Sequence, residues 1–457
     1  MLTYELKKAP GIPLYESLYR CIREDILSGR LPAGEKLPSK RALAAHLEVS
    51  IITVETAYSQ LAAEGYLCSK EKVGYFVETV QTHTAVPATP VAAEKKIQKN
   101  YVDLTANVPA DFPFSVWNRL QRQVLQDFGN QLLEPVPHQG VAALRQAIAA
   151  HLAAFRGMRV DPENIIIGAG TDFLYNLLLQ LLGFQRVYAL EEPGYGKIRR
   201  IYDTAGAVTA SAIMDESGVL PESLGRQQVL HISPSHHFPT GIVTPMPRRL
   251  ALLNWAKNTD SWIIEDDYDT EFRFDTHPIR ALYDPDAQGR VIYMNSFSKS
   301  LAPSIRIGYM VLPPALMGQF REKLGFYGST VSGLEQHTLA RFIQLGHFEK
   351  HINRMRKFYR ARRNALVALL RQCPWAHRLT IQEADAGLHF LVKVDTDLSD
   401  RELVTFCEKM GLRVRSLSGY YHDGVPENAR HTLVINYSGL READMKALEA
   451  LLGMAKS

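Results

Sequence analysis

Apolar residues at Leu14, Leu18, Ile22 and Ile26 share one face at helical spacing, which predicts an amphipathic helix over residues 12–28, with Gly29 able to close it. After RLPAGEKLP, Ser39 can cap a short helix reaching Leu47, and Ser50 a second running to Glu64 with Gly65 as its stop. Two short helices so close together have helix-turn-helix spacing. YLCS and VGYFV follow, rich in strand formers and flanking the polar tip Lys70-Glu71-Lys72, a pattern that predicts a small hairpin or wing ending near residue 79.

From Val80 to Asn100 no apolar period is sustained, and threonine, proline, alanine and lysine predict an extended linker. Beyond it, apolar runs at 165–167, 187–190, 229–233, 262–264 and 291–295 alternate with helical stretches, the pattern of an α/β domain with a mostly parallel sheet. From about residue 320 a long basic helical stretch leads to separate strands at 388–394 and 432–437, which predicts a smaller C-terminal α+β subdomain over about 320–457. The expected organisation is therefore 1–79, a linker over 80–100, and a larger domain over 101–457.

Composition narrows the function classes. With 457 residues and 46% apolar content the chain can bury more than one core. No apolar run is long enough to span a membrane and MLTYELKKAPGIP is unlike a signal peptide, so a cytoplasmic protein is expected. Cys21, Cys68, Cys373 and Cys407 have no C-x-x-C spacing, which argues against a disulfide framework and a zinc site. A net charge of +4 does not by itself imply a nucleic-acid partner.

Candidate chemistry collects where predicted strands end, the usual place for ligands in open α/β sheets. GAGTD, residues 168–172, offers the free N–H groups of a helix start and the Thr171 hydroxyl to an anion such as phosphate. EDDYDTEFRF follows the strand at 262, and SFSKSLAPSIR follows the strand at 291. Ser296, Ser298 and Arg306 can add phosphate ligands around Lys299. An amine beside a phosphate site, with a carboxylate at a neighbouring strand end, is what pyridoxal phosphate requires. The acidic run from Glu265 to Glu271 has two rival readings, a solvated loop and a magnesium site, the second disfavoured because pyridoxal phosphate needs no metal; no metal is expected. His236 and His237 lack ligand spacing and read as a packed or hydrogen-bonded loop.

SFSKSLAPSIRIGY with EDDYD upstream resembles the active site of fold-type I aminotransferases, and the similarity runs over roughly residues 100–455, including SPSHHFPTG and EEPGY. Residues 14–50 and TVETAYSQLAAEGYL are similar to the winged helix-turn-helix of GntR-type regulators. The two together resemble the MocR/GabR subgroup of transcription regulators. That resemblance implies a Schiff base on Lys299, Asp266 on the pyridine nitrogen, Tyr268 on the phenolic oxygen and Tyr195 stacked on the ring, with Thr171, Ser296, Ser298 and Arg306 on the phosphate. It implies double-stranded DNA as a partner, met by Ser39, Lys40, Arg41, Ser50 and Thr53 and by a wing of Lys70, Lys72 and Gly74, together with a homodimer. An amino compound, or pyridoxal phosphate itself, would be the effector, with vitamin B6 or amino-compound metabolism as the regulated process. Over residues 1–80, ten Lys and Arg balance ten Asp and Glu, so DNA affinity must come from Arg30, Lys36, Lys40, Arg41 and the wing, and from a dimer on two half-sites. The second reading is a working aminotransferase carrying a DNA-binding arm.

The sequence departs from the family pattern at four places. Ile51 stands where an arginine often follows the serine of the recognition helix, which implies a different operator or a thymine methyl contact. Val434 stands where an arginine commonly clamps the substrate carboxylate, with Arg413 and Arg415 as nearby candidates to compensate. Lys197 replaces an arginine, and Pro135 falls where a partner subunit often lends a tyrosine.

Overall fold

A computed structural model describes the chain except residues 1, 5, 7–12, 71–72, 80–100, 107–110, 275–279, 284–288, 383–386 and 454–457. The chain divides into two compact units, Met1–Ile97 and Gln98–Ser457. In the first, helices α1 (Leu14–Leu27), α2 (Lys40–His46) and α3 (Ile51–Ala63) pack with a hairpin of β1 (Leu67–Lys70) and β2 (Gly74–Val77). Leu18, Ile22 and Ile26 of α1 meet Leu43 of α2 and Val54, Tyr58 and Leu61 of α3 in one core closed to water. The helical repeat is thus the buried stripe. Ser39 Oγ accepts the Ala42 N–H at 3.2 Å and Ser50 Oγ the Thr53 N–H at 3.1 Å, each satisfying an amide that a helix start leaves free.

The second unit opens with β3 (Val102–Asp103) and is built on an eight-stranded sheet. Its strands are β4 (Ile165–Gly168), β5 (Val187–Glu192), β6 (Val208–Asp215), β7 (Gly218–Val219), β8 (Val229–Ile232), β9 (Trp262–Asp266), β10 (Val291–Ser296) and β11 (Gly308–Val311). The spatial order is β4-β11-β10-β9-β8-β5-β6-β7. β10, β9, β8, β5 and β6 run parallel, while β11 is antiparallel to both β10 and β4. Helices α4 (Phe114–Phe128), α5 (Ala142–Arg156), α6 (Thr171–Leu182), α7 (Gly196–Thr204), α8 (Met246–Asn258) and the short α9 (Phe297–Ser300) accompany it, followed by α10 (Pro314–Leu324). Alternate strand residues join different cores. Ile166, Ile264, Ile292 and Met294 pack with Leu174, Leu178 and Phe320 of α6 and α10, while Ile165, Ile167, Ile263 and Tyr293 join the second cluster. Burial on both faces is why these strands read as unbroken apolar runs.

Helices α11 (Gly333–Gln344) and α12 (His347–Gln372) lead into β12 (Leu379–Gln382), β13 (His389–Val394), α13 (Asp400–Lys409), β14 (Leu412–Arg413), β15 (Arg415–Ser416), β16 (Thr432–Asn436) and α14 (Glu442–Leu451). A four-stranded antiparallel sheet, β12-β13-β16-β15, forms here, and β14 pairs in parallel with β3. Among the described residues no helix is long and apolar enough to cross a membrane.

Candidate cofactor site and DNA-facing residues

β10 ends in Ser296 and turns at once into α9, which carries Ser298 and Lys299. Phe297 and Ser300 on either side are buried, with Phe297 edge-on to Phe348 at 5.5 Å, so the turn is anchored at the C-terminal end of a central strand. Burial strips water from the Lys299 ammonium and pulls its pKa from the ordinary 10.5 to about 8, while the Asp269 carboxylate opposes the shift. A neutral, nucleophilic amine is therefore within reach near physiological pH.

Asp266 closes β9 and stands beside β10 in register with Met294. Tyr175 of α6 donates its hydroxyl to Asp266 Oδ2, and His231 Nε2 lies 3.6 Å from the same oxygen. Asp266 Oδ1 is buried and has no hydrogen-bond partner among the described residues. A buried carboxylate oxygen without a donor is costly, so this atom is suited to an N–H from a bound molecule. His231 is itself held by Tyr202, whose hydroxyl lies 2.9 Å from Nδ1. The Thr171 hydroxyl reaches Tyr175, which links the start of α6 to the carboxylate.

The other end of the site is a helix start. Gly170 caps α6 at φ 81°, a backbone that favours glycine, and a Cβ there would lie 3.0 Å from the Arg306 guanidinium carbon and press on it. Arg306, itself left-handed at φ 52°, donates to the Ala169 carbonyl at 3.2 Å and sits 3.3 Å from Asp172. Lys197 reaches the same carboxylate at 2.7 Å. Burial raises the Asp172 pKa, but Lys197 and Arg306 outweigh it and hold the group below the usual range. Arg306 thus stands against the start of α6, where Thr171 is the first residue and a helix leaves its first amides free, an arrangement suited to a phosphate. The residues fit pyridoxal phosphate at three separate points: amine, carboxylate and anion cradle.

Tyr268 and Tyr195 sit differently. The Tyr268 hydroxyl lies 3.3 Å from His236 Nδ1, and burial raises its pKa well above the ordinary value. Tyr195, 47% exposed, meets Phe238 edge-on at 5.7 Å. Both stand at strand ends, after β9 and β5 respectively.

His236 sits in a packed, hydrogen-bonded loop as expected, while the places of His231, His389 and Tyr175 escaped the sequence reading. His236 Nδ1 lies 2.9 Å from Asp269 Oδ2, and His389 packs on His236 with ring centres 4.9 Å apart. Burial and the neighbouring His236 push the His389 pKa well down. Gly387 passes so close that a Cβ would strike the His236 ring. The signal available was two polar side chains in apolar strand contexts, His231 within VLHIS and His389 within LHFLV. Tyr175 was legible only as the i+4 neighbour of Thr171 on a helix.

The acidic run is divided among separate partners. Glu265 accepts the N–H groups of Leu282 and Tyr283 at 3.0 Å, Asp267 pairs with buried Arg156 at 3.0 Å, and Glu271 accepts from Asn295 at 3.3 Å. Of the two arginines near Val434, Arg413 turns to Tyr101 and Asp103. Arg415 stands opposite Val434 across β15 and β16, touches Tyr420, and lines with Tyr195, Lys197 and Arg200 a cavity of about 510 Å³.

In the first unit, Ser39 and Ser50 cap α2 and α3, and Ser50 Oγ lies 2.8 Å from Thr53 Oγ1. Lys40 pairs with Glu55 and lies over the Tyr75 ring, Arg41 is exposed, and Lys70 covers Phe76. Gly74 takes φ 132° at the start of β2, where a Cβ would lie 3.3 Å from Lys36. Lys72 lies outside the described residues.

Comparison with known proteins places both units. Residues 14–77 match the family of bacterial regulatory proteins of the gntR type, and residues 99–448 match aminotransferase class I and II. The chain is 38% identical to the uncharacterized HTH-type transcriptional regulator YdeL of Bacillus subtilis, over 97% of each chain. It is 32% identical to the probable rhizopine catabolism regulatory protein MocR of Rhizobium meliloti, covering 96% of this chain and 93% of the other. It is 33% identical to the pyridoxine biosynthesis transcriptional regulator PdxR of Corynebacterium glutamicum, over 88% and 87%. Among solved structures, Pyrococcus horikoshii kynurenine aminotransferase superposes with a TM-score of 0.67 at 22% identity, covering 78% of this chain and 91% of that one, which shows a shared fold. A helix-turn-helix of the gntR type continued by an aminotransferase class I domain, matched along nearly the whole length of such regulators, makes this chain a member of the MocR-type transcription regulators.

Proposed function

We propose that this protein is a cytoplasmic, homodimeric regulator that holds pyridoxal phosphate on Lys299 and binds an operator in double-stranded DNA through its first unit. The observation that carries the reading is the buried Asp266 Oδ1, left without a donor at the end of β9, next to the strand from which the Lys299 turn follows. Pyridoxal phosphate, when bound, supplies an aldehyde that can exchange one amine for another. Lys299 would provide the resident amine and Asp266 would accept the ring N–H, fixed in place by Tyr175. Tyr268 would hold a proton at the phenolic oxygen, Tyr195 would cover the ring, and Thr171, Ser296, Ser298 and Arg306 would hold the phosphate. On the DNA side, Ser39, Lys40, Arg41, Ser50 and Thr53 would meet the duplex with the wing residues Lys70, Lys72 and Gly74. The effector would be an amino compound, or the cofactor itself, and the regulated genes would concern vitamin B6 or amino-compound metabolism, as the relatives' names suggest.

Regulation requires that cofactor states bind DNA unequally, with a coupling of roughly 5–150-fold in typical cases. Promoter DNA affinity of the full-length protein, measured with and without pyridoxal phosphate and a panel of amines, tests this. Wild type should respond and Lys299→Ala should not; a variant that answers like wild type would sink the proposal. One observation favours the second reading, a working aminotransferase: Arg415 stands beside Val434 and could orient a carboxylate. Sustained turnover of an amino donor with a keto acid would establish it.

A further inference from the structure

Helix α3 presents a water-facing surface of unusual composition. Val54, Ala57, Tyr58 and Leu61 fill the core, while at the opposite side of its first turn Ile51 is 47% and Ile52 73% exposed. The polar groups near them already have partners. Ser50 and Thr53 bond each other, the Thr56 hydroxyl donates to the Ile52 carbonyl at 2.9 Å, and Glu55 is paired with Lys40. The helix, IITVETAYSQLAA, contains no arginine, lysine or asparagine, and its only amide, Gln60, donates to Glu64 at 3.1 Å. The side chains that read guanine or adenine by paired hydrogen bonds are thus missing from the first turns.

What remains at the helix start is two adjacent branched apolar side chains. The major groove offers one apolar feature to such a surface, the C5 methyl group of thymine. On the reading that α3 enters the major groove, we infer that Ile51 and Ile52 recognise thymine methyl groups, so that each half-site carries thymines opposite the start of α3. Arg41, exposed in the first turn of α2, would supply a cation for the flanking phosphates.

The test uses the full-length protein and a randomised duplex library, followed by resynthesis of the selected site with deoxyuridine for thymidine at single positions. Uracil differs by the methyl group alone. Affinity should fall about fourfold for each methyl removed, the value of one buried methyl group. In an Ile51→Ala/Ile52→Ala variant, whose thermal unfolding should match wild type because both residues are on the surface, thymine and uracil sites should bind alike. A selected site bound equally well with either base, or one with G·C pairs at these positions, overturns the inference while leaving DNA binding intact. A library with no enriched sequence overturns both the inference and the operator-binding reading on which it rests.

Discussion

Lys299 is charged in water at pH 7, and burial is what brings its pKa to about 8. Below about 8 both folded and unfolded chains hold the proton, and the folded state bears the full cost of a buried ammonium. Between about 8 and the ordinary 10.5 the unfolded chain binds more protons, so stability rises with pH across that window. Asp269 opposes the shift, and Asp269→Asn should lower the lysine pKa further. The rate of pyridoxal phosphate uptake, followed by absorbance against pH, should then show a midpoint below that of wild type; an unchanged midpoint would mean that Asp269 does not face the amine. Lysine, aspartate and arginine were legible because each follows an apolar run at a strand end. Tyr175, His231 and the His236–Asp269 contact were not, because they are brought together from α6, β8 and the segments after β8 and β9 by the fold alone.

At the scale of elements, the start of α6 depends on one residue without a side chain. Gly170→Ala would put a Cβ 3.0 Å from the Arg306 guanidinium and force an alanine to φ 81°. An alanine held at φ 81°, ψ 174°, a region open essentially to glycine, costs roughly 1–3 kcal/mol, and displacement of Arg306 removes a charged hydrogen bond of about 1.5–3 kcal/mol. Cofactor affinity should fall by about tenfold or more, measured by titration of the visible absorbance. Wild-type affinity would show that Arg306 does not hold the phosphate. The helices of the first unit were readable because Ser39 and Ser50 mark their starts and the apolar stripe of α1 is unbroken. β6 was not, since VTASAIMD mixes polar and apolar residues near the sheet edge. β11 lies beside β10 although it is antiparallel to it, an insertion that no strand periodicity specifies.

For the whole molecule, a regulator of this kind needs two sites and a bistable linkage between them. Reciprocity then requires that operator DNA change the affinity for pyridoxal phosphate by the same factor that the cofactor changes affinity for DNA. All of this depends on Lys299 carrying the cofactor. The most direct test is to load the full-length protein with pyridoxal phosphate, reduce with borohydride and map the modified peptide by mass spectrometry. A pyridoxyl phosphate adduct on Lys299, absent from Lys299→Ala, is the expected result. An unmodified Lys299, or an adduct spread over surface lysines, would contradict the assignment and leave the winged-helix unit without a cofactor-based sensor.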